Sequence, residues 1–180
     1  MAKSIIAPLS RFVTFYPVLL LSQFLFFSYF FSLTNVVPRK YLKGTELDVT
    51  LRFLFLVSLP LILQVCSIML FRASTVFGDT LNNAEEPKYL TVSKMALTNT
   101  AEQTLIFALN ILAAASLKSL TTEGIALHCI VHLFSRVLFW VLYLIGAQVG
   151  FTPLRAFGFA MTLINSTLVF YANYVSFSKL

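Results

Sequence analysis

Charged residues are scarce in this chain. Asp, Glu, Lys and Arg make up 11% of its 180 residues, and it has only two cysteines, six prolines and six glycines. A soluble domain carries about 25% charged residues. Two cysteines inside apolar runs cannot form a disulfide framework. A phosphate-binding loop, a nucleophile elbow, an HExxH zinc motif and a Rossmann fingerprint are all missing from suitable contexts. These absences exclude the kinase, hydrolase and zinc-protease classes.

Apolar residues are abundant instead, at 58% of the chain, and the mean hydropathy is +0.86. A soluble core of this size could not bury so much apolar surface, so lipid is the solvent. The apolar runs are long and continuous, which favours helices over the short alternating segments of a barrel. The net charge of +6 comes mainly from residues between the runs. It indicates contact with lipid headgroups and no nucleic-acid partner.

Five apolar runs predict an all-α polytopic membrane protein. They cover residues 12–37, 53–71, 89–117, 122–147 and 153–177. The polar stretch 72–87 predicts a water-exposed loop. The turns between the last three runs are short, so these helices are expected to be antiparallel neighbours.

Two charged residues lie inside predicted helices, Glu102 in the third run and Arg136 in the fourth. Intramembrane charges usually face a bundle interior and pair with one another. In an antiparallel hairpin that turns near Leu120, each residue lies roughly 24–27 Å from the turn. The spacing therefore predicts an ion pair between Glu102 and Arg136.

Each of these two helices also carries a polar stripe with helical spacing. The two stripes are expected to face each other, and two interpretations stay open: a structural polar seam, or a pocket for a polar or charged ligand. His128 and His132 could bind a metal only with a third ligand, and none is evident, so no metal site is predicted. The stripes consist of Asn99, Glu102, Ile106 and Asn110 on one helix and His128, His132 and Arg136 on the other.

Several short motifs occur in a recognisable order. They are Asn99 to Glu102, Glu123-Gly124, Leu133 to Arg136 with Tyr143 about two turns later, and Pro153 to Arg155. Together they resemble the MAPEG family, the membrane-associated proteins of eicosanoid and glutathione metabolism, over about residues 50–177. The additional membrane sequence at the N-terminus resembles the mattrin branch of this family.

The resemblance implies a four-helix membrane domain at residues 50–180, behind an N-terminal anchor and connecting loop at residues 1–49. It also implies a homotrimer in the endoplasmic reticulum or another endomembrane, in contact with membrane lipid and possible membrane-protein partners. Glutathione would be the ligand, between neighbouring subunits. The resemblance assigns ligand binding to Asn99, Glu102, Arg136, Tyr143 and Arg155, and assigns Arg155 the catalytic role if the protein is an enzyme.

Three positions depart from the pattern of the enzymes that resemble leukotriene synthase. Met95 replaces an arginine, Phe139 replaces a tyrosine and Gly150 occupies the place of the catalytic arginine. Loss of the phenol removes a hydrogen-bond donor, and a thiolate needs a nearby positive charge. The departures favour a non-catalytic protein with a role in membrane trafficking or receptor regulation. The alternative is a membrane glutathione transferase or peroxidase that acts on lipophilic substrates.

Overall fold

Four long helices form the part of the chain that the structure, a computed structural model, describes: residues 37–76 and 88–180. They are α1 (Glu46–Val76), α2 (Lys88–Leu117), α3 (Thr122–Val149) and α4 (Ala156–Phe177), with short 3₁₀ turns at Arg39–Tyr41 and Thr152–Arg155. These residues contain no strand. Each helix is long and apolar enough to cross a membrane, which confirms the last four predicted membrane helices. Helix α1 begins seven residues before and ends five residues after the predicted run 53–71, so residues 72–76 are helix and not part of the predicted loop. Residues 12–36 of the first predicted helix and residues 77–87 of the predicted loop lie outside the described residues.

Helix α3 packs against α1, α2 and α4 and is the most buried of the four described helices. Its buried residues occupy more than one face, and they include polar side chains as well as apolar ones. The outer surface is apolar: Phe55, Leu70, Leu105 and Phe170 are all exposed. This arrangement suits a protein whose solvent is lipid, with its polar groups turned inward.

The turn between α2 and α3 is short and well defined. Lys118 adopts the left-handed conformation with φ 50°, and the amide of Ser119 donates to the carbonyl of Ala114 at 3.0 Å. These features form a Schellman helix ending. Thr121 then caps α3 by accepting from the amide of Gly124 at 3.2 Å. The tight turn confirms that α2 and α3 are antiparallel neighbours.

The other end of α3 depends on glycine. Gly150 ends the helix with φ 72°, a conformation that glycine adopts without steric penalty. A Cβ on Gly146 would lie 2.8 Å from the carbonyl oxygen of Phe151. On α4, a Cβ on Gly158 would lie 2.5 Å from the Cα of Phe139. Helix α4 therefore rests directly on the α3 backbone and brings its own polar residues close to α3.

A polar contact ties the far end of α4 to the α2–α3 hairpin. Asn173 is buried, its amide nitrogen donates to the backbone carbonyl of Asn110 at 2.8 Å, and its amide oxygen accepts from Ser119 at 2.6 Å. This contact joins the backbone of Asn110, a residue of the predicted polar stripe, to α4.

Candidate functional site

Arg136 lies at the centre of a buried hydrogen-bond network in the middle of the bundle. Its guanidinium is fully buried, and Nη2 donates to the amide oxygen of Asn99 at 3.0 Å and to the hydroxyl of Thr100 at 2.9 Å. Nη1 donates to the hydroxyl of Thr162 at 3.4 Å. The guanidinium also lies 4.1 Å from the ring centroid of Phe139, a cation–π contact. Neutral oxygens and an aromatic face thus stabilise this charge.

The network reaches all four described helices. Gln64 of α1 is buried, and its Nε2 donates to the hydroxyl of Thr100 at 3.0 Å. Ser135 of α3 lies 2.9 Å from the hydroxyl of Thr162 on α4. Every described helix therefore supplies at least one polar side chain. We call this set the Arg136 network: Gln64, Asn99, Thr100, Ser135, Arg136 and Thr162.

The predicted ion pair between Glu102 and Arg136 is wrong for this subunit. Glu102 is exposed on the outer surface of α2, whereas Arg136 is fully buried and contacts the residues one turn earlier. The predicted depth of Arg136 in the bundle is nearly right, because its partners Asn99 and Thr100 lie within one helical turn of Glu102. A carboxylate in mid-membrane is costly when it faces lipid. In the described part of the chain, this carboxylate is exposed.

A second polar contact joins two residues that the sequence placed in the site. Nη1 of Arg155 donates to the Tyr143 hydroxyl at 2.9 Å, and this guanidinium lies 5.0 Å from the Tyr143 ring centroid. The Tyr143 hydroxyl also contacts Sδ of Met95 at 3.9 Å. Tyr143 packs on Phe139 with ring centroids 5.4 Å apart. Two aromatic residues with tilted, packed rings therefore lie between the buried Arg136 and the exposed Arg155.

The two histidines point to different helices. His132 Nε2 lies 3.3 Å from the hydroxyl of Thr104 on α2, and its ring stacks on Phe107 with centroids 4.2 Å apart. His128 Nδ1 lies 2.7 Å from the amide oxygen of Asn165 on α4. The expectation that both face α2 is therefore right for His132 and wrong for His128. Each histidine takes part in interhelical hydrogen bonding.

A family model described as the MAPEG family matches residues 49–175. The chain belongs to the MAPEG family. No curated protein and no solved structure matches it. Four helices in the described residues can span a membrane, so this MAPEG chain is an integral membrane protein.

Each of the three positions at which this MAPEG chain departs from the enzyme pattern has a defined environment in the structure. Met95 is exposed beside the Tyr143 hydroxyl. Phe139 is almost fully buried and lies under the Arg136 guanidinium. Gly150 ends α3 in a left-handed conformation that disfavours any residue with a side chain.

Some of the residues that the resemblance assigns to glutathione already bond within the chain. The resemblance matches Asn99 and Arg136 to glutathione-binding positions, yet these two side chains are hydrogen-bonded to each other. Arg136 also donates to Thr100 from Nη2 and to Thr162 from one of the two N–H groups of Nη1, whereas Nε is buried with no partner among the described residues. A ligand could reach Arg136 only by displacing contacts within the subunit. Glu102 and Arg155 stay exposed.

Sequence reasoning missed the residues that complete the network. Thr100 and Thr162 of the Arg136 network are buried and hydrogen-bonded to α3. Outside the network, Asn165 is also buried and donates to the His128 carbonyl. Threonine in a helix usually bonds its own backbone, so its presence gave no signal. Gln64 was detectable, because it is an isolated amide within an apolar run and a polar group in hydrocarbon needs a partner.

Proposed function

We propose that this MAPEG-family protein is non-catalytic, and that its intramembrane polar residues hold the bundle together. The proposal rests on the hydrogen bonds that Arg136 makes within its own chain. Its guanidinium is fully buried and donates to Asn99, Thr100 and Thr162 of its own subunit. Groups already paired inside a subunit cannot bind a peptide-like ligand without losing those hydrogen bonds.

The departures from the enzyme pattern support the same proposal. At Met95 a thioether replaces a guanidinium, and at Gly150 no side chain is present to act on a thiol. At Phe139 the ring carries no hydroxyl, and its face is already covered by Arg136. A thiolate ligand would therefore find fewer positive charges and fewer donors than the resemblance implies.

We propose that the protein assembles as a homotrimer in which neighbouring copies cover Glu102. The exposed carboxylate in the middle of α2 supports this, because an ionisable group at that depth is stable only against protein or water. The interface between copies is then the place for a ligand, either a lipid or glutathione. The resemblance to the mattrin branch supports a role in membrane trafficking or receptor regulation in an endomembrane such as the endoplasmic reticulum, through a membrane-protein partner.

One observation favours the alternative, a membrane glutathione transferase or peroxidase. Arg155 is exposed, and its guanidinium is held on Tyr143 by a hydrogen bond of 2.9 Å. A bound glutathione would supply the nucleophilic thiol. In this alternative, Arg155 would hold the thiolate beside its guanidinium.

A glutathione titration separates the two proposals. The full-length protein, purified in phosphatidylcholine nanodiscs, is titrated to millimolar glutathione, while thiolate absorbance and conjugation of chlorodinitrobenzene are followed. We expect neither a thiolate signal nor turnover above the empty-nanodisc rate. Saturable turnover that disappears in Arg155→Ala but persists in Arg52→Ala would overturn the non-catalytic proposal. Arg52 is a suitable control because it is an exposed arginine near the opposite end of the bundle.

Native mass spectrometry tests the assembly. We expect a mass of three copies for the unmodified protein, and dissociation in Glu102→Lys, because a cation would be introduced into each of the three interfaces. Glu123→Lys is the control, since Glu123 is an exposed acid in the first turn of α3. A monomer for the unmodified protein, or an intact trimer for Glu102→Lys, would contradict the proposed role of Glu102.

A further inference from the structure

A cleft opens between the beginning of α2 and the end of α3. Its volume is about 360 Å³, and its lining residues are Lys88, Tyr89 and Val92 of α2 with Leu144, Ala147 and Gln148 of α3. Ligand sites in proteins usually have volumes of about 300–1,000 Å³. The cleft is thus large enough for a small group, but not for a whole two-chain lipid.

The cleft lies at the level of the lipid headgroups. Helix α2 has 30 residues, so it is about 45 Å long, whereas the hydrocarbon core is about 30 Å thick. This excess length, together with the exposed charge of Lys88 at its start, favours a position of the first turns of α2 among the headgroups. Lys88 and Gln148 are exposed, while Val92, Leu144 and Ala147 are partly buried. The polar groups thus lie at the rim and the apolar ones form the walls.

The lining residues carry one positive charge and no negative charge. Lys88 supplies an ammonium group and Gln148 a neutral amide that can donate hydrogen bonds. A single cation with an amide suits a group of charge minus one, such as a phosphodiester. The walls of Val92, Leu144 and Ala147 suit the glycerol backbone and the first carbons of the acyl chains.

We propose that this cleft binds the headgroup of one anionic phospholipid of the adjacent leaflet. Its phosphate lies at Lys88 and Gln148, and its acyl chains leave toward the bilayer along the apolar wall. Neither the Arg136 network nor the contact between Tyr143 and Arg155 is part of the lining. The proposal therefore does not depend on whether glutathione binds elsewhere.

The test uses the full-length protein and phosphatidylglycerol as the probe. The detergent-purified protein is titrated with phosphatidylglycerol or with phosphatidylcholine of the same chains, and bound lipids are counted by native mass spectrometry. We expect one site per chain that prefers phosphatidylglycerol. Loss of one interfacial lysine weakens binding of an anionic lipid by about fivefold. Lys88→Gln should show that loss, and Ala147→Phe, which fills the cleft, should abolish the site.

Two exposed lysines at the opposite membrane face, Lys40 and Lys179, provide matched controls. Lys40→Gln and Lys179→Gln should bind phosphatidylglycerol as the unmodified protein does. Equal binding of both lipids by the unmodified protein would overturn the proposal, and so would unchanged binding in Lys88→Gln. Binding lost only in Lys40→Gln would place the lipid at the opposite face. Circular dichroism of each variant confirms that any loss is not caused by unfolding.

Discussion

Replacement of Thr100 by valine removes the hydroxyl that joins α2 to α1 and α3 through hydrogen bonds. Valine keeps the shape of the side chain, so the fully buried site should stay packed. In the structure this hydroxyl accepts from Gln64 at 3.0 Å and from Arg136 at 2.9 Å. After the change, Arg136 Nη2 keeps only Asn99 as a partner. Nε2 of Gln64 then joins its own Oε1 as a buried group without a partner.

The magnitude follows from the two lost bonds. Interhelical hydrogen bonds in membranes average about 0.6 kcal/mol and reach about 1.7 kcal/mol. We therefore expect Thr100→Val to lower the free energy of unfolding by about 1–3 kcal/mol. Reversible unfolding in a sodium dodecyl sulfate titration measures this change.

Thr98→Val is a control on the same helix. The Thr98 hydroxyl is exposed and donates to the Lys94 carbonyl within α2 at 3.1 Å, so its loss should change stability little. A double-mutant cycle with Gln64→Leu should show coupling between positions 64 and 100. Equal effects of Thr100→Val and Thr98→Val would refute the reasoning that Thr100 joins the helices.

Three further predictions concern packing, the turn and the site. Gly158→Ala should destabilise the bundle by roughly 1–3 kcal/mol in the same titration, because the new methyl group meets the Phe139 backbone; Gly124→Ala, whose neighbours lie at 3.5 Å or beyond, should be neutral or stabilising. Lys118→Gly should stabilise by about 0.5–1 kcal/mol, because φ 50° suits glycine, and a decrease would contradict the observed turn. Phe139→Tyr should not create glutathione binding in a calorimetric titration, since Arg136 covers the ring and stays paired; saturable binding would show that the missing phenol alone had prevented it.

The helices themselves could be predicted from the sequence, and the reason is physical. Long apolar runs bounded by charges leave only a helix as a way to pair the backbone in lipid. The predicted fourth run, 122–147, differs from the observed α3 by two residues at its end. The fifth run begins at Pro153, at the 3₁₀ turn that leads into α4.

The rotation of α2 about its own axis could not be predicted. The sequence suggested that Glu102 and Ile106 face the interior, but both are exposed, and Thr100 and Thr104 on the adjacent face are buried instead. In water, an apolar stripe marks the buried face of a helix. In lipid the outside is as apolar as the inside, so this signal disappears. Hydropathy alone therefore could not separate two neighbouring faces of α2.

The partner of His128 was unpredictable for a related reason. Helix α3 packs against three neighbours, so each of its faces meets a different helix. Sequence spacing places His128 and His132 on one stripe, but it does not say which neighbour each side chain reaches. His128 contacts α4, because Asn165 donates to its backbone carbonyl at 3.0 Å and lies 2.7 Å from its ring nitrogen Nδ1.

The most direct test of the account is the state of the Arg136 side chain when glutathione is present. Solid-state nuclear magnetic resonance of isotope-labelled arginine in nanodiscs reports the hydrogen bonds of each guanidinium. If Asn99, Thr100 and Thr162 hold Arg136, its nitrogen resonances should stay unchanged at millimolar glutathione. A saturable shift of the Arg136 resonances, absent in Arg155→Ala, would contradict the account and indicate a working glutathione site.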